Sequence, residues 1–253
     1  MKLSVIGSGR WGQLLIRKFH DLGGVHLVYG HRNREVLEPL GIRFTEDLAQ
    51  LIAQSDAVVV ATPPQTHYEV ARQVLAAGRD LFLEKPMTLY SAEAEELARL
   101  AEEGERVLLV GHVLCYSEAV RQFQALGTPV RAEAVFWKTS TQEQYLNAVW
   151  NFGPHIVALA LVLGLQPEQL EFSTDDAAPH DQRTFTLFAR REDGTETSLT
   201  WDFLAPGRRE DMVRREGEHF LECCRTRQRP LTDGWHGVEV VRWLERISPV
   251  RTK

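Results

Sequence analysis

The chain has 253 residues, with 29 Lys+Arg against 35 Asp+Glu and a formal net charge of −6, which excludes a nucleic-acid coat. Hydrophobic residues are 43% and charged residues 25% of the chain, the balance of a globular protein with a packed core rather than a disordered or fibrous one. Its length predicts two domains.

The alternation of short β-branched runs with longer helical patterns up to Gly111 is that of a parallel sheet covered on both faces. Leu3 to Ile6, Val25 to Tyr29, Ala57 to Ala61, Leu81 to Glu84 and Val107 to Val110 read as strands. Between the first two, Trp11, Leu14, Leu15, Phe19 and Leu22 recur at helical spacing before Gly23-Gly24. Thr66 to Ala77 and Ser91 to Glu103 repeat the design of apolar stripe and terminal glycine. After Gly111 the alternation stops. A helix from Glu118 to Leu126 is followed by a strand-like run from Val130 to Thr139 and a buried helix beginning near Gly153. Thr184 to Arg190 and Thr195 to Asp202, joined through Glu192-Asp193-Gly194, form an antiparallel hairpin pattern. Two amphipathic helices, Arg214 to Arg225 and Trp235 to Ile247, close the chain. The fold class expected is α/β: a Rossmann-type doubly wound parallel sheet over residues 1–114, then a smaller α+β domain over 115–253 with an open, mainly antiparallel sheet.

Cys115, Cys223 and Cys224 offer neither a disulfide framework nor metal-ligand spacing, so no metal is expected and a reducing cytoplasm is. Met1 leads straight into a short apolar run and a glycine loop, without the apolar region of a signal peptide. The stretch Ile156 to Leu165 is shorter than the roughly 20 residues needed to span a bilayer, so no membrane partner is expected.

Gly7-Ser8-Gly9-Arg10-Trp11-Gly12 fits G-x-G-x-x-G, and its place between a first strand and a first helix turns its backbone N–H groups toward a pyrophosphate. A plain strand-to-helix turn is the alternative. A ribose 2′-hydroxyl is usually held by an acid at the end of the second strand, where this chain has Tyr29-Gly30-His31-Arg32-Asn33-Arg34. Arginine suits a 2′-phosphate, so NADP(H) is favoured and NAD(H) remains possible, with two solvated loop arginines as the alternative reading.

Ala61-Thr62-Pro63-Pro64-Gln65-Thr66-His67, Glu84-Lys85-Pro86, Gly111-His112-Val113-Leu114 and Gly153-Pro154-His155 complete a pattern spanning nearly the whole chain. It resembles the Gfo/Idh/MocA oxidoreductases, named for glucose-fructose oxidoreductase and inositol dehydrogenase. The resemblance implies a Rossmann domain joined to a carboxy-terminal α/β domain, and oxidation or reduction of sugars, cyclitols and related alcohols with NAD(P). It implies that Lys85 stands beside the nicotinamide against the reacting oxygen and that His155 exchanges a proton with that oxygen. Lysine at a strand's carboxyl end is where an ammonium stabilises alkoxide charge, and imidazole titrates near working pH. By the same comparison Thr62, Pro63, His67 and Glu84 line the cofactor with Gly7, Gly9, Arg10, Trp11, Gly12, His31, Arg32, Asn33 and Lys85.

Three departures stand out. Asn151 occupies the place where many relatives carry an Asp four residues before the histidine, and an amide cannot take a proton. Cys115 and Glu118 stand where relatives often have arginine and proline. Between Asp202 and Arg214 there is only a loop, so the second sheet should be small. The activity expected is hydride transfer between nicotinamide and a sugar-like or cyclitol secondary alcohol or ketone. A catalytically silent NAD(P)-binding sensor is the alternative and a methyltransferase a distant third. The partners expected are a small polyol, sugar or ketone and a second copy of the chain. The second sheet's alternating Phe185, Leu187 and Ala189 would present an apolar face to that copy.

Overall fold

Leu3–Ile6 form β1, an apolar tetrad buried at every position, in a computed structural model that describes residues 1–30, 33–137, 148–166, 169–175, 184–202 and 208–247. Then come α1 (Arg10–Gly23), β2 (Leu27–Tyr29), α2 (Arg34–Leu37), β3 (Phe44–Thr45), α3 (Leu48–Ala53), β4 (Ala57–Val60), α4 (His67–Ala76), β5 (Asp80–Glu84), α5 (Ser91–Glu103) and β6 (Leu108–Gly111). The strands lie in the order β3-β2-β1-β4-β5-β6, every pair parallel. That is the doubly wound dinucleotide-binding order, which reverses between β1 and β4 and opens a crevice at their carboxyl ends. β4 and β5 are buried throughout, which is why they read as continuous apolar runs. α1 buries Leu15, Ile16 and Phe19 against the sheet and stops at Gly24, whose φ of 94° suits glycine.

The second unit spans Val113–Met212. α6 (Glu118–Gln124) is capped by Ser117, whose hydroxyl accepts from Val120 N–H. Among the described residues β7 (Arg131–Trp137), β8 (Leu170–Asp175), β9 (Thr184–Arg190) and β10 (Glu196–Asp202) form a sheet in the order β10-β9-β7-β8. β9 is antiparallel to both neighbours, while β7 and β8 run parallel. The mainly antiparallel sheet is thus observed, with β8 added. Leu187 and Ala189 are already buried within the chain, and the exposed apolar side chain of β9 is Phe188 on the other face. α7 (Ala148–Val162) begins earlier than its sequence predicts, so Gly153 and Pro154 lie inside the helix instead of ahead of it. A proline there removes an i→i−4 hydrogen bond and crowds the carbonyl of Trp150, a cost of about 3 kcal/mol that burial of Trp150, Ile156, Val157 and Leu159 offsets.

The domain boundary differs from the expected one. α8 (Arg208–Thr226) and α9 (Gly234–Ile247) were assigned with 115–253, yet the chain from Val213 onward belongs with Met1–His112. Their apolar faces find their cover there. Phe220 meets Phe19 and Phe82 edge to face, with ring centroids 6.2 and 5.7 Å away. Arg227 donates to both carboxylate oxygens of the buried Asp80 at 2.6 and 2.8 Å. Thr232 pairs with Val110 through backbone and hydroxyl, and Arg242 and Glu245 of α9 bind Glu95 and the N–H of Ser91 on α5. Among the described residues no helix is long and apolar enough to cross a membrane, and the three buried cysteines form no disulfide.

Phe220→Ala removes the α8 ring from this aromatic trio and is expected to lower the unfolding free energy by about 3 to 5 kcal/mol in urea titration. A loss below about 1 kcal/mol would show that α8 stands outside the first unit's core.

Candidate cofactor and active site

The glycine loop divides its labour among three residues. Gly7 has a φ of +107°, and a Cβ there would sit 2.5 Å from the carbonyl oxygen of Ala61 at the end of β4. At Gly12 a Cβ would meet the Gly7 carbonyl oxygen at 2.2 Å, so the first turn of α1 can approach the loop only with glycine there. Gly9 has an ordinary φ of −66°, and a Cβ there would meet nothing within 4 Å. Protein packing therefore accounts for Gly7 and Gly12 but not for Gly9. α1 has no side-chain cap and no acid in its first turn, so its positive end faces the exposed Gly9 and Arg10. These features fit a pyrophosphate lying over Gly9 at the helix N-terminus.

Asn33, at a left-handed φ of 59°, donates from Nδ2 to the Ser8 carbonyl oxygen at 2.8 Å and ties the segment after β2 to the glycine loop. His31 and Arg32 lie outside the described residues. Arg34 has its Nε 3.2 Å from Glu38 and its guanidinium over the Phe44 ring at 5.2 Å. Thr62 is half-buried and Pro63 exposed beside Ala61, where the crevice opens. His67 is 1% exposed, with Nδ1 2.8 Å from the Pro86 carbonyl and Nε2 2.9 Å from that of Thr62. Burial holds its pKa below the usual value, and the neutral ring has one N–H, which donates to one of these two carbonyls. His67 therefore braces the loops after β4 and β5.

Glu84 ends β5 fully buried. Its carboxylate accepts from the indole Nε1 of Trp11 at the head of α1 and, at 3.1 Å, from the backbone N–H of Lys85. A Cβ on Gly111 of β6 would lie 3.0 Å from its Oε1, so that glycine makes room for the carboxylate. Burial raises the Glu84 pKa to about 7, opposed by the Trp11 hydrogen bond, the Lys85 ammonium and the Lys85 N–H. Glu84 is thus a brace between the glycine loop and Lys85. Lys85 is half-buried at the carboxyl end of β5, on the sheet edge where α/β folds bind ligands. In the second unit His155 is buried on α7, and Asn151 lies one turn earlier on the same helix face. Among the described residues no group of three or more His, Cys, Asp or Glu side chains is placed to hold a metal.

Sequence reasoning missed Glu216, a fully buried carboxyl on α8 whose pKa is raised by burial and by Glu84. The signal was present: Val213, Glu216, Phe220 and Cys223 share one helical stripe, and the other three are core residues.

Residues 1–112 match the Gfo/Idh/MocA oxidoreductase family, NAD-binding Rossmann fold. UDP-N-acetylglucosamine 3-dehydrogenase of Acidithiobacillus ferrooxidans is 34% identical over 130 residues, 50% of this chain and 42% of that protein. Inositol 2-dehydrogenase 3 of Saccharopolyspora erythraea is 29% identical over 167 residues, 59% of this chain and 48% of that protein. The matched stretches thus span less than half the length of these relatives. The solved structure of the Acidithiobacillus enzyme superposes with a TM-score of 0.75 at 23% identity, covering 97% of this chain and 96% of that one. GenD2 from gentamicin A biosynthesis, solved in complex with NAD, gives 0.76 at 20% identity, covering 98% and 94%. At these identities the structures establish a shared fold.

The two glycines separate fold from binding. Gly9→Ala is expected to leave thermal unfolding near the native value while weakening NADH binding at least about tenfold by fluorescence titration. Gly7→Ala, strained and blocked by Ala61, should cost more than about 1 kcal/mol of stability as well. Native NADH affinity in Gly9→Ala would remove the pyrophosphate from this loop.

Proposed function

We propose that this chain, whose residues 1–112 match the Gfo/Idh/MocA oxidoreductase family, is an NAD(P)-dependent dehydrogenase or reductase acting on the CH–OH or ketone carbon of a sugar-like or cyclitol substrate. The observation that carries this reading is Lys85, half-buried at the carboxyl end of β5 and joined through Glu84 to the first turn of the glycine-loop helix. The substrate class is supported by the relatives named for a nucleotide sugar and for inositol.

The nicotinamide, when bound, supplies the hydride acceptor or donor. Gly7, Gly9 and Gly12 shape the loop that takes the pyrophosphate, with the α1 N-terminus and Arg10 beside it. Lys85 binds the reacting oxygen, and its ammonium stabilises the alkoxide that develops as hydride leaves or arrives. His155 exchanges the hydroxyl proton. Asn151 orients the site by hydrogen bonding, since its amide has no proton to trade. NADP(H) is the preferred cofactor in this reading, through Arg32.

Turnover tests these roles once a screen of sugars, inositols and ketones has found a substrate. Lys85→Ala and His155→Ala are each expected to lower kcat and kcat/KM together by roughly 10²-fold or more, with cofactor affinity close to native. In the same assays Arg32→Ala should erase a preference for NADPH of about tenfold. Full turnover in Lys85→Ala would end the assignment.

A second copy of this chain is the proposed partner, but not through the face that carries Leu187 and Ala189, which the chain itself buries. Sedimentation as a monomer at micromolar concentration would count against it.

A further inference from the structure

One peptide group of the glycine loop decides by its direction what the loop can bind. A trans peptide points its C=O and its N–H to opposite sides, so the Gly9 N–H faces away from wherever the Ser8 carbonyl oxygen is held. That direction turns on the φ of Gly9, and a residue without a Cβ leaves the peptide free to flip. A flipped peptide would present a carbonyl oxygen, not an N–H, to an anion.

Here the oxygen is tethered from within the protein. Asn33 Nδ2 donates to the Ser8 carbonyl oxygen at 2.8 Å, and Gln13 Nε2 on α1 reaches the same oxygen at 3.4 Å, the long end of the hydrogen-bond range. Ser8 is buried and Gly9 exposed, so an oxygen held toward the protein leaves the Gly9 N–H on the open side. The Gly7 N–H is engaged by the Tyr29 carbonyl oxygen at 3.3 Å, whereas the Gly9 N–H donates to no backbone carbonyl among the described residues. Local structure does not account for Asn33. An asparagine ahead of a helix ordinarily caps it, yet the Asn33 side chain makes no capping bond to α2 and its φ of 59° lies in the left-handed region.

We propose that Asn33 is a positioning residue for the cofactor pyrophosphate: by holding the Ser8 carbonyl oxygen it turns the Gly9 N–H outward as a donor to a phosphate oxygen. An apolar side chain of the same size would fill the space but has no donor with which to hold that oxygen. Asn33 acts through the loop, so NADH and NADPH, which share the pyrophosphate, depend on it equally. The role rests on the NAD(P)-dependent oxidoreductase reading given above.

Fluorescence titration with NADH and NADPH, alongside thermal unfolding, tests this without turnover. Asn33→Gly removes the amide and suits the left-handed φ, so unfolding should stay near native while both cofactors bind about fivefold to tenfold more weakly, their ratio unchanged. Native NADH affinity in Asn33→Gly would overturn the proposal. So would a change in the ratio of the two affinities, which would put Asn33 at the ribose end of the cofactor. A native protein that bound neither cofactor would overturn the oxidoreductase reading and this role with it, so the two failures read out separately. If the variant does not fold, proton–nitrogen NMR of the native protein decides: NADH should shift the Gly9 amide downfield, and the Asn33 side-chain amide should exchange slowly with water before and after NADH is added. An unmoved Gly9 amide or a fast-exchanging Asn33 amide would overturn the role.

Discussion

The close approach of the turn after β1 to the end of β4 is the constraint from which the first unit's site follows. Gly7 lies so near the Ala61 carbonyl that no side chain fits between them, and Gly12 brings the head of α1 down onto the same turn. Sheet order places this contact where the strand sequence reverses, so backbone that packs this tightly also opens outward into a crevice. The positive end of α1 is thereby aimed at the crevice mouth without a side-chain cap. A residue larger than glycine at either position would separate the helix from the sheet edge and with it the anion site from Lys85.

From that contact the structure extends inward through electrostatics. Trp11, set at the first turn of α1, reaches the buried Glu84 carboxylate, and Glu84 in turn holds the backbone of Lys85. A buried carboxylate is costly, which is why donors converge on it and why its pKa still rises to about 7. His67 stiffens the same region by bridging the carbonyls of Thr62 and Pro86. Three strand ends are thus cross-braced by side chains whose polar atoms point at the protein, beside the exposed Gly9 and Arg10 and the half-buried Lys85.

The closing helices complete this unit by burial. Phe220 fills the space between Phe19 of α1 and Phe82 of β5, and Arg227 neutralises Asp80 at the start of β5. The unit is therefore discontinuous in sequence, and the buried carboxyl of Glu216 comes from a helix near the far end of the chain. Packing of this kind obeys area and shape rather than chain order, so the second unit is an insertion between two parts of the first.

Local signals in the sequence determined the parallel strands, the glycine loop and the placement of Lys85 at a strand end. Each depends on residues close in the chain: apolar runs for β1, β4 and β5, glycines at fixed spacing, and a Glu-Lys-Pro tripeptide after an apolar strand. The i, i+4 relation of Asn151 and His155 follows from the same helical periodicity, although the start of α7 did not, because burial of Trp150 and its neighbours carries the helix through Pro154. Tertiary structure alone decided which core the last two helices join, that His67 lies against the carbonyls of Thr62 and Pro86, that Arg34 turns to Glu38 and Phe44, and that Glu216 is buried without a hydrogen-bond partner among the described residues. These facts concern partners far apart in the chain or side-chain directions set by packing. An amphipathic stripe shows that a helix needs cover without stating which surface provides it.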